Sequence, residues 1–308
     1  MELIDYTGIK VKLVSHTNDP VLTLYSVWKQ SRAKVAEEAL KYGVTDDTTT
    51  SEMRLIYETN SEFKSHVDST VDIIMSTDLP PMEFVSFEWE IQNIPVFLRE
   101  QLVRHRDSHV WVRSSRDFHS TVNAAYAPID LNEDQRAQLS EAYDTIQSIF
   151  EDMKAQGIMP EDARVIMPEG RLHSLSWGMT ARSMYKIMKE RACYLGQSPW
   201  KFIISEMVRL LDDAGLGVFA RKLGTPPCKY DGGKCPYVAE CEMMHKGQSK
   251  IPVCPVYSMK NYPDNPLPEG QNKVYMKAQV KRLLRIWDLS KLDNETLDFM
   301  VDLSNYKN

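Results

Sequence analysis

The chain has 308 residues, 43% of them apolar, and carries 37 basic against 43 acidic side chains for a formal net charge of −6. That much apolar material buries a substantial core, and the acidic balance should repel anions unless cations are gathered locally. The longest apolar runs fall far short of a membrane span, and Met1-Glu2-Leu3-Ile4-Asp5 has neither the basic start nor the hydrophobic core of a signal peptide, so a soluble cytoplasmic protein is expected.

In chain order, residues 31 to 42 read as an amphipathic helix. Residues 44 to 70, rich in Thr, Ser, Asp and Glu, read as a mobile surface insertion. From Glu83 to Gln92 apolar and polar residues alternate, the signature of a half-buried strand. Residues 94 to 103 form an apolar helical stretch, with Asn93 as its cap and Pro95 in its first turn. Further on, Asn132 with Gln135 three residues later opens a helix whose Leu139, Tyr143, Ile146, Phe150 and Met153 recur at three- and four-residue steps before Gly157 stops it. Residues 200 to 214 read as another helix. The expected class is α+β and helix-rich, with a body over 1–225 and a small metal-binding extension over 226–308.

Two segments carry chemistry. Residues 104 to 116 hold four arginines and two histidines in thirteen positions, where a buried helix ends. So dense a set of fork-shaped donors on an acidic chain points to a phosphate-bearing ligand held bidentately. Within it Ser114 and Arg116 are two apart, so in an extended segment both face the same way and can share one phosphate.

The second segment is cysteine-rich. Four of the five cysteines fall between 228 and 254, a crowding that suits metal ligation in a reducing compartment. Cys228, Cys235, Cys241 and His245 have the spacing of a CCCH zinc finger, and Cys254 follows; zinc is the expected metal, with a [4Fe–4S] cluster on the cysteines as the alternative. From 246 to 286 eight Lys or Arg stand against Asp264 and Glu269, a local charge of +6 that admits contact with nucleic acid but suits a structural role better.

Arg104-His105-Arg106, seven residues and then Ser114 resembles the signature of the flavin-dependent thymidylate synthases, the ThyX family. Gln101 and Arg116 stand where that family has its flanking Gln and Arg. Ala163-Arg164-Val165-Ile166-Met167-Pro168 resembles its Ala-Arg-apolar-Pro segment, and Thr180-Ala181-Arg182-Ser183, with Arg191 nine residues beyond Arg182, resembles its next helix start. The resemblance runs from about residue 80 to about 223. It implies transfer of a one-carbon unit from methylenetetrahydrofolate to C5 of dUMP by a homotetramer, with reduced FAD (FADH2) as carrier and reductant and NADPH reducing the flavin. By position it assigns Gln101, Ser114, Arg116, Arg164 and Arg191 to the nucleotide, and Arg104, His105, Arg106, Arg182 and Glu83 to the flavin. Ser114, Arg191 and Arg104 lie nearest the chemistry.

The chain also departs from the family. His109-Val110-Trp111-Val112 replaces the usual Ser-Tyr-Asn-Glu, removing a carboxylate. Thr180 replaces an asparagine, Lys186 and Leu195 replace polar contacts, and Asp78 lies near where a histidine is usual. A Ser198-Pro199 insertion precedes Trp200. Cys193 reads as a packing residue, since flavin chemistry needs no thiolate nucleophile. Two other outcomes stay open: a flavin-dependent hydroxymethylase acting on dUMP or dCMP, in which water and not hydride captures the one-carbon adduct, and a non-catalytic nucleic-acid-binding protein.

Overall fold

The computed structural model describes residues 1–77, 80–112, 124–191 and 197–223. Its elements are β1 (Glu2–Ile4), β2 (Lys10–His16), α1 (Pro20–Ser31), α2 (Ala33–Leu40), α3 (Thr50–Thr59), α4 (Ser61–Ser76), β3 (Ser86–Pro95), α5 (Val96–Leu102), β4 (Ser108–Val112), β5 (Ala124–Tyr126), α6 (Glu133–Ala155), α7 (Pro160–Ala163), β6 (Leu172–Thr180), α8 (Ala181–Arg191), α9 (Ser198–Asp213) and α10 (Gly217–Leu223). The expected helix-rich α+β class holds. The chain divides into two compact units, Met1–Tyr185 with Arg209–Ala220, and Lys186–Val208 with Arg221–Asn308.

The first unit is built on an antiparallel sheet of order β2-β3-β6-β4, beside a short parallel pair of β1 and β5. Alternation along β3 makes it the core strand. Phe87, Trp89 and Ile91 are fully buried, and across the ladder Trp89 faces Trp177 while Ile91 faces Leu175. Their polar neighbours Ser86 and Glu88 face out. The strand was expected from Glu83, but Pro80 and Pro81 lead a 3-10 turn over Pro80–Phe84 that places Glu83 ahead of the sheet.

The buried parity of β3 changes near its end. Ile91 pairs with Leu175 but Ile94 pairs with His173, so β3 carries one extra residue there. Asn93 sits in this bulge at a φ of 61°, and its Nδ2 donates to the Gly8 carbonyl at 2.9 Å. It is not the cap of α5 that local sequence suggested; Pro95 occupies the cap position, and the Asn93 side chain is used in a long-range bond instead. With the parity shifted, Ile94 points inward and α5 buries Val96, Leu98 and Leu102.

Residues 44 to 70 are not an insertion of mobile chain. A capping box between Thr49 and Glu52 starts α3, and Asn60 caps α4 by accepting from the amides of Glu62 and Phe63. Phe63, Val67, Val71 and Ile74, at helical spacing, are fully buried. Phe63 packs edge-on to Tyr25 of α1 with ring centroids 5.7 Å apart, and buried Lys29 donates to the Thr45 carbonyl at 2.7 Å and to Asp46 at 3.0 Å. The polar residues lie on the outer face and mask the apolar stripe in a composition count.

The expected helix after Asn132 forms as α6, with its capping box to Gln135 in place and Gly157 at a φ of 90° beyond its end. The two other expected helices appear as α2 and α9. Within the second unit the Arg191 guanidinium lies 5.2 Å from the centre of the Trp200 ring. Among the described residues no helix is long and apolar enough to cross a membrane.

Candidate functional site

Helix α5 ends in a tight turn that carries Arg104 and Arg106. The amide of Val103 bonds to the Arg99 carbonyl at 3.0 Å and that of His105 to the Leu102 carbonyl at 3.1 Å, while the Ser108 hydroxyl closes the turn on the His105 carbonyl at 2.7 Å. Arg104 and Arg106 are thereby exposed and His105 is half-buried. Strand β4 then leaves the turn and pairs with β6, Ser108 lying opposite Met179.

That register decides which residues meet. The first residue of β3, Ser86, lies opposite Thr180, the last of β6, and the Val85 carbonyl accepts from the Ala181 amide at 2.7 Å. The turn before β4, the turn before β3 and the start of α8 therefore share one end of the sheet. Thr180 takes the cap of α8 that an asparagine would fill, its hydroxyl accepting from the Ser183 amide at 3.2 Å and donating to the Ser183 hydroxyl at 3.1 Å. One residue on, Arg182 donates from Nη1 to the Glu83 carboxylate at 2.5 Å. Arg104, His105, Arg106, Arg182 and Glu83, spread over a hundred positions of sequence, are thus gathered by strand pairing.

The other set is divided. Gln101 is half-buried on α5. Arg164 opens a 3-10 turn over Arg164–Ile166, directly after α7, and its Nε donates to the Glu161 carbonyl at 3.0 Å. Arg191 closes α8 in the second unit. Ser114 and Arg116 fall within 113–123, outside the described residues, as do Asp78, Cys193 and Leu195. Cys228, Cys235, Cys241, His245 and Cys254 also lie outside them; among the described residues no group of three or more His, Cys, Asp or Glu side chains is placed to hold a metal ion.

Arg164 lines an open cavity of about 360 Å³ together with Val96, Glu161, Met167, Glu169 and Arg171. Arg171 was not singled out in the sequence. Its guanidinium Nε donates at 3.2 Å to Nε2 of His173, which is 8% exposed. Burial pushes the His173 pKa down to about 4, and the neighbouring Arg99 and Arg171 cations push the same way, so the ring is neutral at ordinary pH and serves as an acceptor. Burial also lowers the Arg171 pKa, as does repulsion from Arg99 and Arg164, against attraction by Glu169 and Glu100. The usable sequence signal was the two-residue spacing of Arg171 and His173 at the start of a strand, which sends both side chains the same way.

On β4 the residues that replace the family's usual gap take opposite sides: His109 and Trp111 face out, Trp111 being 80% exposed, while Val110 and Val112 are half-buried. No carboxylate stands at 112.

Residues 12–214 match the family model described as thymidylate synthase complementing protein. The chain is similar to the flavin-dependent thymidylate synthase of Saccharolobus solfataricus, 26% identical over 196 residues covering 61% of this chain and 67% of the relative. It is likewise similar to the enzyme of the same description from Clostridium tetani, 24% identical over 247 residues covering 74% and 91%. Among solved structures, the UMP/dUMP methylase PolB from Streptomyces cacaoi, bound with 5-Br dUMP, shares the fold with a TM-score of 0.54 at 16% identity, covering 72% of this chain and 96% of that one.

Proposed function

Because the chain belongs to the thymidylate synthase complementing protein family, we propose that it is a flavin-dependent enzyme that adds a one-carbon unit to C5 of dUMP. The observation that carries this is the gathering of the Arg104-His105-Arg106 turn and the Glu83–Arg182 pair at one end of the sheet. Two exposed guanidiniums on one turn, with a third on a helix start close by in the fold, are the donors that the diphosphate of FAD requires, so the residues present suit the cofactor. Reduced FAD would supply the carrier for the one-carbon unit and the hydride, with methylenetetrahydrofolate as the donor and NADPH as the outside reductant.

The protein's own residues bind and polarise. Arg104, His105, Arg106 and Arg182 hold the flavin, with Glu83 fixing the Arg182 fork. Gln101, Ser114, Arg116, Arg164 and Arg191 hold the nucleotide. A cation at Arg191 would stabilise the negative charge that the uracil ring gains when its C5 becomes nucleophilic, an interaction stronger in the transition state than in the ground state. Assembly as a homotetramer and a zinc site on Cys228, Cys235, Cys241 and either His245 or Cys254 complete the proposal.

A second product is favoured by one observation. Val112 supplies no carboxylate beside the nucleotide and Trp111 next to it is 80% exposed, a wall built differently from the family's. Capture of the adduct by water in place of hydride would give a hydroxymethyl nucleotide. Mass analysis of the product from dUMP, and separately from dCMP, with methylenetetrahydrofolate and NADPH decides between them. A methyl increment on dUMP supports the first reaction, a hydroxymethyl increment the second, and no nucleotide product with either substrate overturns both.

A further inference from the structure

The cavity beside Arg164 contains a second guanidinium that the assignments above leave without a role. We propose that Arg171 is a specificity-determining residue that grips the nucleotide phosphate together with Arg164, and that His173 is its positioning residue. The inference rests on Arg164 being a nucleotide ligand.

Arg171 stands on the cavity wall at the entry to β6, half-buried, and among the described residues its guanidinium has no side-chain hydrogen-bond partner except His173. The bond is made by Nε alone. The two terminal nitrogens keep their donors, and an Arg fork whose Nε is held is prepared for a bidentate grip on an anion. Its anchor is firm, because His173 is buried and neutral, so Nε2 offers a lone pair and adds no charge. The backbone is held too, the Val96 amide donating to the Arg171 carbonyl at 3.2 Å.

The electrostatics ask for an anion. Arg171 feels repulsion from both Arg99 and Arg164, so like charges are crowded around a half-buried guanidinium. Glu169 and Glu100 attract it through space, yet neither forms an ion pair with it in the structure. A phosphate at Arg171 would relieve that crowding, and Arg164 on the same cavity wall stands within the same site. The volume agrees: about 360 Å³ lies at the small end of ligand pockets, suiting a mononucleotide better than a dinucleotide.

Binding to the FAD-loaded protein tests this, with three probes titrated: dUMP, deoxyuridine as the same ligand without phosphate, and FAD itself on the apoprotein. Arg171→Leu should weaken dUMP about 10- to 100-fold and leave deoxyuridine and FAD as in the wild type. His173→Leu, which removes the acceptor, should weaken dUMP in the same direction, and His173→Gln, whose amide oxygen can replace Nε2, should restore it. A purely structural histidine would not show that rescue. Wild-type dUMP affinity in Arg171→Leu, with affinity lost in Arg164→Gln, overturns the inference and leaves the nucleotide site standing. Wild-type affinity in both variants removes the nucleotide from this cavity altogether, and the inference with it. Equal loss for dUMP and deoxyuridine also overturns it, since the phosphate would then not be what Arg171 holds. Should Arg171→Leu fail to fold, Arg171→Gln carries the same test with the same outcomes.

Discussion

Arg182 and Glu83 form a half-exposed ion pair, with side-chain exposures of 29% and 55%. Such a pair adds about 0.2–1 kcal/mol to stability, so Glu83→Gln should leave the denaturation midpoint nearly unchanged. If the pair orients the Arg182 fork toward FAD, the same variant should weaken FAD binding several-fold in a fluorescence-quenching titration; full affinity would show that Glu83 is only a surface partner. Arg116→Ala and Arg191→Ala should raise the dUMP dissociation constant about 10- to 100-fold with little change for FAD, and unchanged dUMP affinity in both would remove them from the nucleotide site. Histidine titration gives a third check. The His173 pKa falls from 6.5 to about 4 on folding, and that of His66 falls too, burial being the main cause in each. For His173 the unfolded chain therefore binds more protons between 6.5 and about 4, and stability is lost as pH falls through that window, with a slope of at most about 1.4 kcal/mol per pH unit. Urea midpoints at three pH values across that window should show a smaller loss for His173→Gln than for the wild type. The arginine run was legible in the sequence because its residues are contiguous. Arg171 was not, since its meaning depends on Val96 and Arg164, which the chain brings near only on folding.

At the scale of elements, local signals were readable and distant ones were not. The capping box at Asn132 and the alternation of Phe87, Trp89 and Ile91 involve neighbours a few residues apart, and both appear as expected. The stretch from 44 to 70 misled because its outward Thr, Ser, Asp and Glu outnumber the buried Met53, Phe63 and Val67. Its Thr49 and Glu52 nevertheless spell a capping box, and that signal outweighs composition. Thr49→Ala should cost about 0.5–2 kcal/mol in chemical denaturation, whereas an untethered insertion would lose nothing. The gathering of Glu83, Arg182 and the Arg104 turn was invisible locally, being set by the Ser86–Thr180 and Ser108–Met179 register.

For the molecule as a whole, the family assignment covers residues 12–214 and leaves the cysteine-rich extension to be placed by chemistry. Elemental analysis of anaerobic protein should find about one zinc per chain if Cys228, Cys235 and Cys241 ligate with His245 or Cys254, and Cys235→Ser should abolish it; iron with acid-labile sulfide would assign a cluster instead. A different lesson lies in the bulge at Asn93. By adding one residue between Ile91 and Ile94 it converts an odd-numbered inward face into an even-numbered one just before α5 begins. The buried Val96, Leu98 and Leu102 of α5 follow directly on that shifted face. Selection here should therefore act on spacing before identity. Gly in place of Asn93 would keep the left-handed backbone and lose only the bond to the Gly8 carbonyl, while a single-codon deletion would turn the apolar side of α5 toward water.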